Sequence, residues 1–235
     1  MDRVSRHVSR ADLSRVADKR PLLPIQRGLA FSATFDIDGL TLNAGAISAA
    51  RNRAGDGSGG LSQSTGVNQP ILVPFVRGAR VAARFDGSND VLTGGTLSTA
   101  IPVPFDFLAV AKITTDRNYG RIFGQAASLG LDCDAAGNIY LFNGSVGTFA
   151  TNDGRWHVYS GRFSGAASFG AVDRGRVVTV SPGTTATSMT AVSVGGAASA
   201  NLAGEVGEVH VFSRTLQDVE RRACIDVLMA RWGMR

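Results

Sequence analysis

The stretch GEVGEVHVF at 204–212 is valine-rich and reads as a β-strand. Its two carboxylates, Glu205 and Glu208, stand three apart, so on a regular strand they point to opposite faces. Glu208 sits among Val206, Val209, Val211 and Phe212, where a carboxylate must face outward or find a partner. The same short, alternating or β-branched pattern recurs in LAFSATF (29–35), ARVAARF (79–85), FDFLAVAKI (105–113), NIYLFN (138–143), RWHVYSGRF (155–163), RGRVVTV (174–180) and AVSVG (191–195). Gly, Asn, Asp and Pro turns separate these segments. Recurrent short strands at this spacing predict an all-β chain folded as an antiparallel two-sheet jelly-roll sandwich over about Leu29 to Phe212. Its inward positions include Phe85, Leu92, Phe107, Leu131, Trp156, Val158, Val209 and Val211.

Both ends of the chain read as helical. At the C-terminus a helix runs from Thr215 to about Trp232, capped by Ser213 or Thr215, with Asp218 in the capping-box position of Thr215. Leu216, Val219, Ala223, Val227 and Ala230 form one face, widened by Ile225, Leu228 and Trp232. At the N-terminus Val4, Val8 and Ala11, continued by Leu13, Val16 and Ala17, make the stripe of a short amphipathic helix ended by Pro21 and Pro24. Six basic residues in its first twenty positions, set against Asp2, Asp12 and Asp18, give it a net charge of +3 out of +5 for the whole chain. Residues 1–28 are therefore read as a basic arm that docks either on its own domain or on a partner, and residues 29–235 as the sandwich with its closing helix. The segment AGDGSGGLSQSTGVNQP (54–70) reads as a long surface loop.

The charge does not imply nucleic-acid binding. Of 24 basic residues only Lys19 and Lys112 are lysines, and the arginines are scattered with no block interleaved with aromatics. No apolar run is long enough to cross a bilayer, and the opening MDRVSRHVSRADLSRVADKR lacks the apolar core of a secretory signal. Cys133 and Cys224, far apart, are expected as buried thiols.

Three segments, in order, resemble a concanavalin A-like lectin/glucanase domain of the laminin-G-like form found in bacterial surface proteins and tailed-phage virion proteins. The first is Arg84-Phe85-Asp86-Gly87-Ser88-Asn89-Asp90-Val91-Leu92, similar to that family's F-D-G-x-N-D hairpin. The second is Asp153-Gly154-Arg155-Trp156-His157-Val158, similar to its D-G-x-W-H strand entry, followed by Val172-Asp173. The third is Leu202 to Phe212 with Arg214-Thr215-Leu216 to Glu220-Arg221, similar to its last strand and helix start. The resemblance covers about residues 80–235.

It implies three kinds of site. Retaining glucanases of this fold hold a nucleophile and an acid on one strand face. Only Asp132/Asp134 and Asp36/Asp38 share a face here, neither pair contains a glutamate, and no enzyme is expected. No metal other than calcium is expected, since His7, His157 and His210 lack zinc spacing. Asp86, Asn89, Asp90, Asp132 and Asp134 are the oxygen donors for a rim calcium, with turn capping as the alternative use of the same groups. For carbohydrate, Arg117, Asn118, Tyr119 and Arg121 place a ring, an amide and cationic forks in one polar turn, with Tyr140, Phe142 and Asn143 as a second candidate.

The reading expected from the resemblance is a non-enzymatic virion structural protein, a spike, fibre or decoration component of a tailed phage or phage-like particle. It would be made in the host cytoplasm, joined to other virion subunits through the arm, homo-oligomeric, and directed at host surface polysaccharide. A bacterial cell-surface adhesion module and a glycoside hydrolase are the alternatives.

Overall fold

The computed structural model describes residues 23–35, 39–55, 57–77, 80–114, 120–125, 128–197 and 200–235. The predicted helix of the arm lies outside them. Leu23 does not: it is buried, and with it the packed domain begins upstream of Leu29.

The chain is an all-β, antiparallel, jelly-roll-like sandwich with one C-terminal helix, Asp218–Arg231, among the described residues. At the centre of the larger sheet, Ala203–Phe212 pairs on one side with Phe105–Ile113 and on the other with Arg80–Asp86 and, at its far end, Leu29–Thr34. Outward from Phe105–Ile113 run Trp156–Phe163, Ser168–Val172 and Val178–Val180. Outward from Arg80–Asp86 run Ile71–Arg77, Ala46–Ala50, Leu61–Ser62 and Thr93–Gly94, with Leu40–Asn43 hairpinned onto Ala46–Ala50. The second sheet orders Val146–Thr151, Asn138–Phe142, Leu129–Cys133, Gly120–Gln125 and Ser193–Val194.

The two sheets meet through Phe107 and Phe123, whose rings lie 5.0 Å apart, inside a cluster that holds Phe85, Leu92, Leu131, Val209 and Val211. The remaining two predicted inward residues are buried elsewhere. Trp156 and Val158 face the outer side of the large sheet, beneath the helix, where Trp156 stacks on Trp232 at 4.8 Å. A β-bulge between Val206 and Glu208 shifts the alternation of this central strand by one residue, so that Val206 and Val209 both face the inter-sheet core. Gly207 is the extra residue, and a Cβ there would lie 2.1 Å from the Trp232 ring, so the absent side chain is what lets the indole reach the sheet.

Several sequence expectations shift. The helix begins later than Thr215: Gln217 is the N-cap residue, and its N–H donates to the Glu220 carboxylate at 2.9 Å. Glu220 also takes a fork from Arg214, and that bond first, with the Gln217 N–H second, lowers its pKa to about 2. The buried helix face is Arg221, Cys224, Ile225, Leu228 and Met229, continued by Trp232; Val219 is 69% exposed. RGRVVTV forms a strand only at Val178–Val180, because Asp173 takes a left-handed conformation (φ 53°) and turns the chain before it. The 54–70 segment is not wholly surface, since Ala54, Leu61 and Gln69 are buried and Leu61–Ser62 pairs with two strands. Cys133 and Cys224 are buried thiols, as expected.

Candidate functional site

The residues singled out from sequence go to different places. Arg117, Asn118 and Tyr119 lie outside the described residues. Arg121 is buried and sets its fork on Asp132, with Nε–Oδ1 at 2.7 Å and Nη2–Oδ2 at 2.8 Å. Burial pushes the Asp132 carboxyl up, and the Arg121 bond and charge oppose it. Both groups of this pair are thereby withdrawn from solvent, the arginine from a sugar and the aspartate from a cation. Tyr140 and Asn143 are buried too, the Asn143 amide bonding the backbone of Ala186 at 2.7 and 3.0 Å.

The other oxygen donors cap turns. Asp86 Oδ1 accepts the N–H groups of Ser88, Asn89 and Asp90 at 2.7 to 3.4 Å around Gly87, whose φ is 76°. Asp90 Oδ2 accepts the N–H of Asp86, and Asp134 accepts from Ala136 and from both the backbone and side chain of Asn138. Among the described residues no three His, Cys, Asp or Glu side chains converge as a metal site.

Two arrangements carry the composition of catalytic sites without the access. Glu205 and Glu208 were expected on opposite faces; the bulge at Gly207 shifts the phase and puts both on the outer face. Glu205 there takes the Arg84 guanidinium, Nε at 2.9 Å, whereas Glu208 is sealed beneath the helix. The Glu208 carboxylate accepts from Trp232 Nε1 at 2.8 Å, Arg231 Nη1 at 2.6 Å and His210 Nε2 at 3.0 Å. Burial pushes its pKa up, but the bond from His210, the charge of Arg231 and the indole bond outweigh that and hold it below the usual range. The other ring nitrogen of His210 meets Ser32 Oγ at 3.0 Å, completing a Ser–His–Glu chain. Ser32 and His210 are fully buried, so no substrate reaches the hydroxyl in this structure and the chain acts as a buried hydrogen-bond network.

A concavity with ligand-like chemistry lies at the end of the large sheet. A shallow pocket of about 570 Å³ is lined by Asn43, Ser48, Ser62, Gln63, Ser64, Gln69 and Thr93. Every one of these side chains is a hydroxyl or an amide, and none is charged. Local structure holds the amides in place. Ala44 and Gly45, both at positive φ, make the two-residue turn that sets Asn43 at the sheet edge. Asn43 Nδ2 donates to Gln69 Oε1 at 3.4 Å, and Gln69 Nε2 donates to the Gln63 carbonyl at 2.7 Å. Gln63 Nε2 in turn donates to the Val91 carbonyl at 3.1 Å. By contrast, the hydroxyls of Ser62, Ser64 and Thr93 make no hydrogen bond among the described residues. Val67 and Ile71, which flank Gln69 in sequence, are exposed apolar side chains (77% and 57%). Fixed amides, free hydroxyls and nearby apolar surface suit a polyol.

Sequence reading missed this pocket. The run SQSTGVNQ at 62–69, polar yet without a charge, was the available signal, but it reads equally as loop composition. Asn43, Ser48 and Thr93 carry no local signal at all.

No family model matches the chain, and no curated protein sequence matches it. Solved structures do. The ligand-binding domain of botulinum neurotoxin serotype D, determined with N-acetylneuraminic acid, superposes with a TM-score of 0.59 at 12% identity, covering 89% of this chain and 55% of that one. The binding domain of Paraclostridial Mosquitocidal Protein 1 gives 0.59 at 10% identity, with 88% and 55% covered. Trypanosoma rangeli sialidase gives 0.55 at 15% identity, with 84% and 32% covered. The chain thus spans about a third to just over half the length of these structures, and at such identities the likeness is one of fold.

Proposed function

We propose that this chain is a non-catalytic carbohydrate-recognition domain, carried as a structural component of a tailed-phage or phage-like particle and directed at host surface polysaccharide. The observation that carries the recognition is the pocket of Asn43, Gln63, Gln69, Ser62, Ser64 and Thr93, with three hydroxyls left to bond a ligand. Fold-level likeness to binding domains, one of them solved with a sialic acid, supports a sandwich used for binding. The particle setting rests on the basic composition of the first twenty residues together with the three motif segments, which resemble a domain form found in tailed-phage virion proteins as well as in bacterial surface proteins. The arm upstream of the buried Leu23 is assigned to holding the chain to other subunits. A single pocket of this kind binds weakly, and repetition over a homo-oligomer or a particle raises avidity by orders of magnitude.

Glycan-array binding of the oligomeric protein tests the recognition. Wild type should retain neutral glycans, and the Ser62→Ala/Ser64→Ala pair should weaken retention by about tenfold, the equivalent of about 1.4 kcal/mol for lost hydrogen bonds. Retention of no glycan by wild type overturns the reading, as does release of reducing ends from host polysaccharide. Immunogold labelling of particles from the source tests the setting, and unlabelled particles reject it.

A further inference from the structure

Two guanidinium groups lie over the Phe169 ring, Arg162 and Arg221, each 5.2 Å from its centroid. They differ in how their donors are satisfied. Arg162 gives Nε and Nη2 to the two oxygens of Asp106 at 2.6 and 3.0 Å, and Nη2 also to the Leu216 carbonyl at 2.8 Å. Arg221 is the more deeply buried, with its side chain 4% exposed, yet it is poorly matched. Its Nη2 reaches Asp218 at 3.3 Å, its Nη1 reaches Ser160 Oγ at 3.5 Å, and its buried Nε meets no acceptor. A buried cation ordinarily gathers short, charge-assisted bonds, so this one is short of acceptors.

Arg221 lines a cavity of about 660 Å³ between the helix and the turn that follows Val172, shared with Arg174, Arg176 and Arg222. Three carboxylates also line it. Asp226 is taken by Arg174 Nε at 2.6 Å. Asp173 is divided between His157 Nδ1 at 2.7 Å and the Val158 N–H at 2.8 Å. Asp218 is the loose one, its side chain 79% exposed and its contact with Arg221 long. Arg176 and Arg222 are exposed and make no ion pair among the described residues.

We propose that this groove is a second ligand site, for an oxyanion such as the carboxylate or phosphate group of an acidic saccharide. Arg221 forms its base, Arg176 and Arg222 form its rim, and the incoming group displaces the Asp218 carboxylate. A guanidinium fork matches two acceptor oxygens of such a group, which is what the long contacts of Arg221 fail to supply. The site is built from elements other than those of the hydroxyl-and-amide pocket and does not depend on the reading of that pocket.

Isothermal titration of the full chain at low ionic strength, with sodium glucuronate in one arm and inorganic phosphate in the other, tests it. Saturable binding in either arm supports the site, and the arm that binds identifies the group. The exposed pair Arg176→Ala/Arg222→Ala should weaken binding by about fivefold or more, the equivalent of two partly solvated charge contacts. Asp218→Asn, which removes the competitor without truncating the side chain, should tighten it. Three results overturn the proposal: no saturation in either arm, unchanged affinity in the arginine pair, or weaker binding by Asp218→Asn. Neutral-glycan retention is read in a separate assay, so failure of one site is distinguishable from failure of the other.

Discussion

Strand Phe105–Ile113 is buried on both sides, but against different chemistry. Its inward residue Phe107 meets Phe123 at 5.0 Å and Phe163 at 5.8 Å amid aliphatic and aromatic neighbours. One position before it, Asp106 faces the helix side, where its carboxylate holds the Arg162 fork and the N–H of Leu216. The outer face goes on in that manner, with Glu208, His210 and Ser32 buried alongside Trp156 and Trp232. Between the sheets, contact is non-directional and scales with area. Beneath the helix, apolar area is combined with directed bonds, those of Asp106 and Glu208 above all, that favour one orientation. The sandwich thus coheres by volume, and the helix is placed by directed contacts.

The largest effect should come from the inter-sheet side. Phe107→Ala removes a fully buried ring and should cost about 3–5 kcal/mol in urea denaturation, with much of that recovered by Phe107→Leu. Glu208→Gln should come next, at about 2–3 kcal/mol, since it keeps shape and removes the charge that Arg231, His210 and Trp232 share. If it is neutral while Phe107→Ala is not, the two faces do not differ as argued.

Smaller effects follow from pH. The depressed pKa of Glu208 gives stability that is present above the ordinary glutamate range and lost as pH falls through the folded-state value. His157 behaves in the opposite sense. Its hydrogen bond to Asp173 raises its pKa, burial lowers it, and the bond to Asp153 raises it further, for a net rise. Its contribution is therefore full below the ordinary histidine value and lost as pH rises through the folded-state one. Melting curves from acid to alkaline pH should show both limbs. His157→Gln should act mainly on the alkaline limb, with a smaller loss on the acid side through Asp153, and Glu208→Gln should reduce the acid limb; a swap of these assignments would refute the network. The smallest change belongs to Arg155→Ala at the solvated rim. Its side chain is 81% exposed and 3.9 Å from Asp153, so the unfolding free energy should change by less than about 0.5 kcal/mol.

What was legible in the chain was whatever depends on neighbours in sequence. Alternation of apolar and polar residues marked the central strands, Asp86-Gly87 and Asp153-Gly154 marked turns, and the terminal helix announced itself by its period. Glu208 was recognisable as a carboxylate in need of a partner. The partners were not, since Trp232 and Arg231 come from an element 23 or 24 residues away.

The sequence by itself determined the class of fold, the central strands of the larger sheet and the need of a buried polar group for a partner, because period and turn chemistry act over a few residues; strands such as Ala46–Ala50, Gly120–Gln125 and Leu129–Cys133 were not legible in it. Only the tertiary structure decided which faces those groups occupy. One added residue at Gly207 reverses the phase of the central strand and brings Glu205 and Glu208 to the same side. Pairing of Gly120–Gln125 with Leu129–Cys133 buries Arg121 against Asp132, turning a candidate sugar contact into a buried ion pair. The pocket draws Asn43, Ser48, Ser62, Gln69 and Thr93 from four strands and the segment after Asn68, and no local rule links them. Strand register and long-range pairing set such juxtapositions, and they depend on the energy of the whole sheet rather than on any single stretch of it.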